Sequence, residues 1–232
     1  QLDIQTTNLG STALHVAAQK GKTDVVRLLT EAGAQLDIQK TSGATPLFMA
    51  CQNGHSDVVE ILIRNGANIN LPRDDGATPL YVASQNGHSE VVNILLRNGA
   101  AVDRARNDGA TPLYVASQNG HSEVVDILLR NGAGVDRARN TGATPLSIAS
   151  QSGHSEVVNI LLRNGAGVDR AKITGSTPLF MACQQGQIDV VNILLANGAD
   201  VNLTGFQGTR PIDIARFQGH SDIVRLLEKR GH

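Results

Sequence analysis

Histidines at His55, His88, His121, His154 and His220 occur one per 33-residue interval or a multiple of it. Imidazole is the side chain of metal sites and of acid–base chemistry near neutral pH. The spacing argues against both uses. If each histidine sits on its own structural repeat, neighbours are about a helix spacing of 8–10 Å apart. A shared metal, whose ligand bonds are about 2 Å, is then out of reach. A turn-stabilising hydrogen bond is the expected role. Carboxylates recur with the same period instead of clustering, and the sequence has no Cys-x-x-Cys, His-Glu-x-x-His, nucleotide-binding glycine loop or serine nucleophile elbow. The expectation is a protein that is not an enzyme, with no metal, no cofactor and no small-molecule substrate.

The two thiols fit the same reading. Cys51 and Cys183 hold one register position four repeats apart. Stacked repeats would separate them by on the order of 35 Å, whereas a disulfide needs Cα atoms within about 7 Å. Two free thiols and no opening secretory segment point to a reducing, intracellular and cytoplasmic compartment. No apolar run reaches the roughly 20 residues that span a bilayer, so membrane insertion is not expected. A formal net charge of −1 lacks the basic balance that nucleic-acid binding requires.

The elements that carry these side chains follow from the period. A glycine followed by Thr-Pro-Leu or a close variant recurs at Gly10, Gly43, Gly76, Gly109, Gly142, Gly175 and Gly208, always 33 residues apart. Residues 76–108 and 109–141 differ at three positions only, Asn93/Asp126, Ala101/Gly134 and Asp108/Thr141. The repeats fill 1–232, which leaves no room for a second domain. In the specimen repeat, Thr78 caps a helix with Pro79 in its first turn, and the helix stops near Asn86-Gly87. A second helix, with Ser89 as cap, carries Val91, Val92, Ile94, Leu95 and Leu96 and ends at Asn98-Gly99. Ala100 to Asp108 then forms an extended loop or hairpin finger. Neither short helix buries its apolar face alone, so stacking is obligatory.

Gly76-Ala77-Thr78-Pro79-Leu80, Gly87-His88, Glu90-Val91-Val92, Leu95-Leu96 and Asn98-Gly99-Ala100 resemble the ankyrin repeat family over nearly the whole chain. The resemblance implies an all-α solenoid of seven helix-turn-helix-finger repeats, with inner helices and fingers on a concave face used for protein recognition. The histidine usual after Thr-Pro-Leu is present only as His15, and Lys40, Arg73, Arg106, Arg139 and Lys172 replace the usual finger aspartate. The last repeat, with Arg210, Asp213, Arg216, Lys229 and Arg230, fits a polar C-terminal cap. Gln1-Leu2-Asp3-Ile4-Gln5 recurs as Gln35 to Gln39 and reads as the tail of an earlier repeat.

Helical spacing places Leu80, Val82 and Ala83 in the stack and Ala77, Tyr81, Ser84 and Gln85 away from it. Propagated by 33 residues, the outward set becomes a ladder. Its aromatic rung is Phe48, Tyr81, Tyr114 and Phe180, with Ser147 interrupting it. Its carboxamide rungs are Gln52, Gln85, Gln118, Gln151 and Gln184, beside Asn53, Asn86 and Asn119. Phe206 stands at a finger tip and Phe217 at the glutamine position of the last repeat, so no aromatic falls at an expected core position. Aromatics concentrate at interface hot spots, and carboxamides match both groups of a peptide backbone. Packing between adjacent helices and solvation at helix ends are the plainer readings of the same rungs. A second stripe pairs Arg104 with Arg106, Arg137 with Arg139 and Arg170 with Lys172, two residues apart on one side of an extended finger. It suits an acidic or phosphorylated partner unless Asp103, Asp136 and Asp169 neutralise it.

The functional expectation is a monomeric interaction scaffold that binds a protein or extended peptide on its concave face. The alternatives are a targeting segment of a larger enzyme or channel, and an engineered array without a natural partner.

Overall fold

The computed structural model describes residues 2–230; Gln1, Gly231 and His232 lie outside the described residues. Helices come in pairs, one pair per repeat: α1 (Ala13–Gln19) with α2 (Thr23–Glu31), α3 (Pro46–Asn53) with α4 (Ser56–Arg64), and α5 (Pro79–Gln85) with α6 (Ser89–Arg97). They continue as α7 (Pro112–Asn119) with α8 (Ser122–Arg130), α9 (Pro145–Ser152) with α10 (Ser155–Arg163), α11 (Pro178–Gln185) with α12 (Ile188–Ala196), and α13 (Pro211–Phe217) with α14 (Ser221–Glu228). A single 3-10 turn, Phe206–Gly208, interrupts the last finger, and no strand occurs among the described residues. The fold class is all-α repeat stacking, as the period predicts.

The chain groups into two compact units, one of residues 1–112 with 130–132, the other of 113–129 with 133–232. Within the first, α1, α3 and α5 pack in series and α2, α4 and α6 form the parallel row. Within the second, α9, α11 and α13 pack in series against α10, α12 and α14.

Local chemistry starts each first helix. Thr45, Thr78, Thr144 and Thr177 are extended residues whose hydroxyls accept from the amides of Phe48, Tyr81, Ser147 and Phe180 at 3.1–3.2 Å. Proline follows at the first helical position, where its missing amide costs nothing. The second helices start differently from the expectation. His88, not Ser89, is the N-cap residue of α6, and no side chain caps it.

The histidines hold the turns across repeats. Nε2 of His55 and His88 donates to the Gln19 and Gln52 carbonyls at 3.1 and 3.2 Å. His154 and His220 do the same to Gln118 and Gln184 at 3.0 and 3.3 Å. The preceding turn must admit the ring. A Cβ on Gly54, which is left-handed at φ 74°, would stand 2.7 Å from the His88 ring. Among the described residues no group of three metal-ligating side chains converges.

Second helices are one-sided: α10 buries Val157, Val158, Ile160 and Leu161 and turns Glu156 and Arg163 outward. First helices α3, α5, α9 and α11 are buried nearly all round, whereas α1 leaves Val16 50% exposed. In α5, Ala77 of its approach and Leu80, Tyr81, Val82, Ala83 and Ser84 are all at most 4% exposed. The expected outward face at Ala77, Tyr81 and Ser84 is therefore corrected. α3 and α11 each have a first helix on both sides along the row and their own second helix behind, so only their last residues reach solvent.

Cys51 and Cys183 are free and buried. Burial pushes both thiols upward, Cys183 to about 12, so neither is a reactive thiolate.

Candidate functional site

The aromatic rung belongs to the core. Phe48, Tyr81, Tyr114 and Phe180 are 1%, 4%, 3% and 4% exposed. The expectation that no aromatic occupies a core position is thus overturned for four of the six. For Phe48 and Tyr81 the cover is a clip that joins the ring to the arginine 25 positions on. The Arg73 guanidinium lies over the Phe48 ring at 5.2 Å from its centre, and Arg106 lies over Tyr81 at 5.8 Å. Such a contact contributes about 0.5–1 kcal/mol and also screens the ring from water.

Each clip is locked by a carboxylate two residues further along the finger. Arg73 donates from Nε to Asp75 Oδ1 at 3.0 Å, and Arg106 donates from the corresponding nitrogens to Asp108 at 3.3 and 2.7 Å. The hydrogen bond to Arg73 holds the Asp75 carboxyl below its usual range, and Asp75 in turn raises Arg73. Asp75 Oδ1 and Asp108 Oδ1 also accept from the amides of Ala77 and Ala110 at 3.1 Å each, which closes the finger turn.

Consequently the arginine pairs do not form one continuous stripe. Arg106 turns to Asp108 and Tyr81, while Arg104 donates to the Asn70 carbonyl at 3.1 Å. Arg170 reaches Asp136 of the preceding repeat at 3.4 Å. Arg137 is exposed and Arg139 half-buried. The neutralising carboxylate for Arg106 is Asp108 rather than the expected Asp103.

The carboxamide rungs split in the same way. Gln52, Gln85 and Gln118 are exposed, and Gln151 and Gln184 half-buried. Asn53 Nδ2 donates to the Met49 carbonyl at 2.7 Å and Asn86 Nδ2 to the Gln52 carbonyl at 2.9 Å, so these two brace helix ends. Asn119 is exposed at the end of α7.

The repeat pattern breaks in the second unit, and a groove of 690 Å³ opens there. Its floor is α11, through Phe180, Met181 and Gln184. One wall is the finger before α11, with Lys172, Thr174 and Ser176, and Gln151 of α9 beyond it. The other is the finger before α13, with Phe206, Gln207 and Thr209, followed by Asp213, Ile214 and Phe217 of α13. Phe206 is 57% exposed and Phe217 84%, against 4% for Phe180 between them. Gly205 allows this arrangement. A Cβ there would lie 2.7 Å from Phe180 Cδ2, so only glycine lets the backbone lie where an arginine stacks in earlier repeats. Gln207 is the one non-glycine with positive φ among the described residues, at 56°.

Five residues expected at a partner surface therefore meet in one place: Gln151, Lys172, Phe180, Gln184 and Phe206. Ile173, 77% exposed beside Lys172, escaped the sequence reading. Its signal was available, because Asp74, Asn107 and Asn140 fill the same place elsewhere.

Comparison with known proteins agrees with the fold. The profile described as ankyrin repeats (3 copies) matches residues 1–73, 65–139, 132–205 and 166–232. Among solved structures, the human ASB11 ankyrin repeat domain superposes with a TM-score of 0.83 at 29% identity, over 92% of this chain and 98% of that one. No curated protein sequence matches the chain. With the motif spacing, the paired helices and the profile matched along its length, the chain belongs to the ankyrin repeat family.

Proposed function

We propose that this protein is a non-catalytic interaction scaffold, a single ankyrin repeat domain over 1–232, and that it holds a protein or extended peptide partner on its first-helix and finger side. Ankyrin repeats are in general protein–protein interaction modules. The observation that carries the finer reading is the groove flanked by Phe206 and Phe217. Large exposed aromatics beside a concave, partly polar floor are the anchors from which interfaces draw most of their energy. Gln151 and Gln184, half-buried on the same groove, supply its polar margin. Phe48, Tyr81 and Tyr114 are buried in the stack and are not offered to the partner. No helix among the described residues is long and apolar enough to cross a membrane.

A photo-crosslinking side chain placed at 217 and, separately, at the exposed Arg64 of α4 tests the reading in a cell lysate. Position 217 is expected to yield discrete protein adducts that excess unlabelled chain competes away, and position 64 none of them. Equal adducts from both positions, or adducts that resist competition, would refute the groove as the partner surface.

A further inference from the structure

We infer that the groove of the second unit selects an extended peptide in which a carboxylate side chain stands next to an aromatic or large aliphatic one. The inference rests on the proposed scaffold function and names the chemistry of its partner.

The cation comes first. Arg73 and Arg106 hold the same finger position as Lys172, and both are fully engaged, by a ring beneath and a carboxylate two residues on. At Lys172 both partners are replaced. Ser147 stands where the ring would be and turns its hydroxyl to the Thr144 carbonyl at 2.9 Å. Thr174 stands where the carboxylate would be, with its hydroxyl 3.3 Å from that of Ser176. Among the described residues no carboxylate lies within ion-pair distance of the Lys172 ammonium. It is half-buried on the groove wall, so an incoming carboxylate meets a partly desolvated cation.

The groove does contain one carboxylate of its own, Asp213, and it is already answered. Arg210 donates to both its oxygens, at 2.9 and 3.1 Å, and Arg216 lies 3.6 Å away. These guanidiniums hold the Asp213 carboxyl below its usual range. The balance of charge at the groove is therefore positive. The one cation left unanswered at the groove balances a carboxylate, whereas a phosphate group carries a charge of about −2.

The apolar requirement is equally local. Phe206 and Phe217 replace Asn107 and Gln85 of the third repeat, so two polar register positions have become exposed apolar ones on one groove. Between them, Gln151, Gln184 and Gln207 can each donate to and accept from a peptide group. That combination fits a strand-like segment whose backbone meets the carboxamides while neighbouring side chains take the ammonium and the phenyl rings.

A phage-displayed random dodecapeptide library panned on the full chain tests the proposal. The wild type is expected to enrich Asp or Glu within two positions of Phe, Trp, Leu, Ile or Met. Panning on Lys172→Glu is expected to lose the acidic residue and keep the apolar one, and Lys172→Ala to weaken the best synthetic peptide about fivefold in fluorescence anisotropy. Panning on Phe206→Ala/Phe217→Ala is expected to lose the apolar residue, with an unchanged helical spectrum showing that the fold survives. Apolar peptides enriched without acid, or an acidic preference that survives Lys172→Glu, would overturn the inference and leave the scaffold reading standing. Enriched peptides that bind Phe206→Ala/Phe217→Ala as tightly as the wild type would sink both. So would wild-type self-association that Phe217→Ala abolishes, since the occupant would then be a second copy of the chain.

Discussion

A buried hydroxyl without a partner is a small, definite cost, and Ser84, Ser117 and Ser150 each carry one at the same register position of successive repeats. The position holds Ala18 in the first repeat and Cys51 and Cys183 in the second and sixth, all fully buried. The slot is thus an apolar one that a methyl or a thiol fills without asking for a hydrogen bond. Removing an unsatisfied polar atom recovers about 1 kcal/mol or more, and serine to alanine also raises helix propensity. Ser150→Ala is expected to raise the midpoint of thermal unfolding by about 2–4 °C, read by circular dichroism at 222 nm. A lowered midpoint would mean that the hydroxyl is satisfied after all. At the same scale lies His15, whose burial lowers its pKa; its ring takes Thr12 on Nδ1 at 2.9 Å and the Ala44 carbonyl on Nε2 at 3.1 Å. It occupies the place where later repeats put an aromatic ring, again inside the stack.

Between residue and repeat, the finger decides what the first helix can show to solvent. Where Arg73 and Arg106 lie over a ring, the finger is closed by its own salt bridge and the surface is internally satisfied. Where Gly205 lies over Phe180, the finger carries no side chain at that point and its next residue, Phe206, is thrown outward. Gly205→Ala would force a Cβ into the Phe180 ring, which is too buried to swing aside cheaply. The expected cost is about 1–3 kcal/mol, seen as a lower urea midpoint together with weaker peptide binding at the groove. Unchanged stability would show that the ring repacks freely. Helix starts, by contrast, were plain from sequence. Thr-Pro-Leu carries its own cap and its own first turn, and the structure realises it at Thr45, Thr78, Thr144 and Thr177 without help from distant residues. The second helices show why not every start could be read that way. Ser89 looks like a cap, yet backbone geometry gives that place to His88, whose ring is already committed to the Gln52 carbonyl.

Within each unit the helix rows pack repeat against adjacent repeat, so stability is a sum of repeat and interface contributions rather than one indivisible quantity. In the second unit, α10 has packed helices of its row beside it and buries four aliphatic side chains, whereas α14 buries only Ile223 and Leu227. Each fully buried aliphatic side chain contributes on the order of 2 kcal/mol. Native-state hydrogen exchange should therefore release the amide of Leu227 at least about tenfold faster than that of Leu161. Equal rates would mean that the unit opens as a single block. By itself the sequence determined the period, the number of repeats, the paired helices and the histidine turns, because each depends on residues close in the chain or on a repeat of fixed length. It did not determine which side of a first helix is accessible. Spacing arguments suppose one buried face, and a helix of seven or eight residues enclosed by neighbours, partner helix and finger has almost none to spare. Only the tertiary structure could turn Phe48, Tyr81 and Phe180 inward beneath their fingers and gather Lys172, Phe206 and Phe217 around one groove, since those contacts join residues of different helices and fingers, far beyond the reach of spacing within one helix.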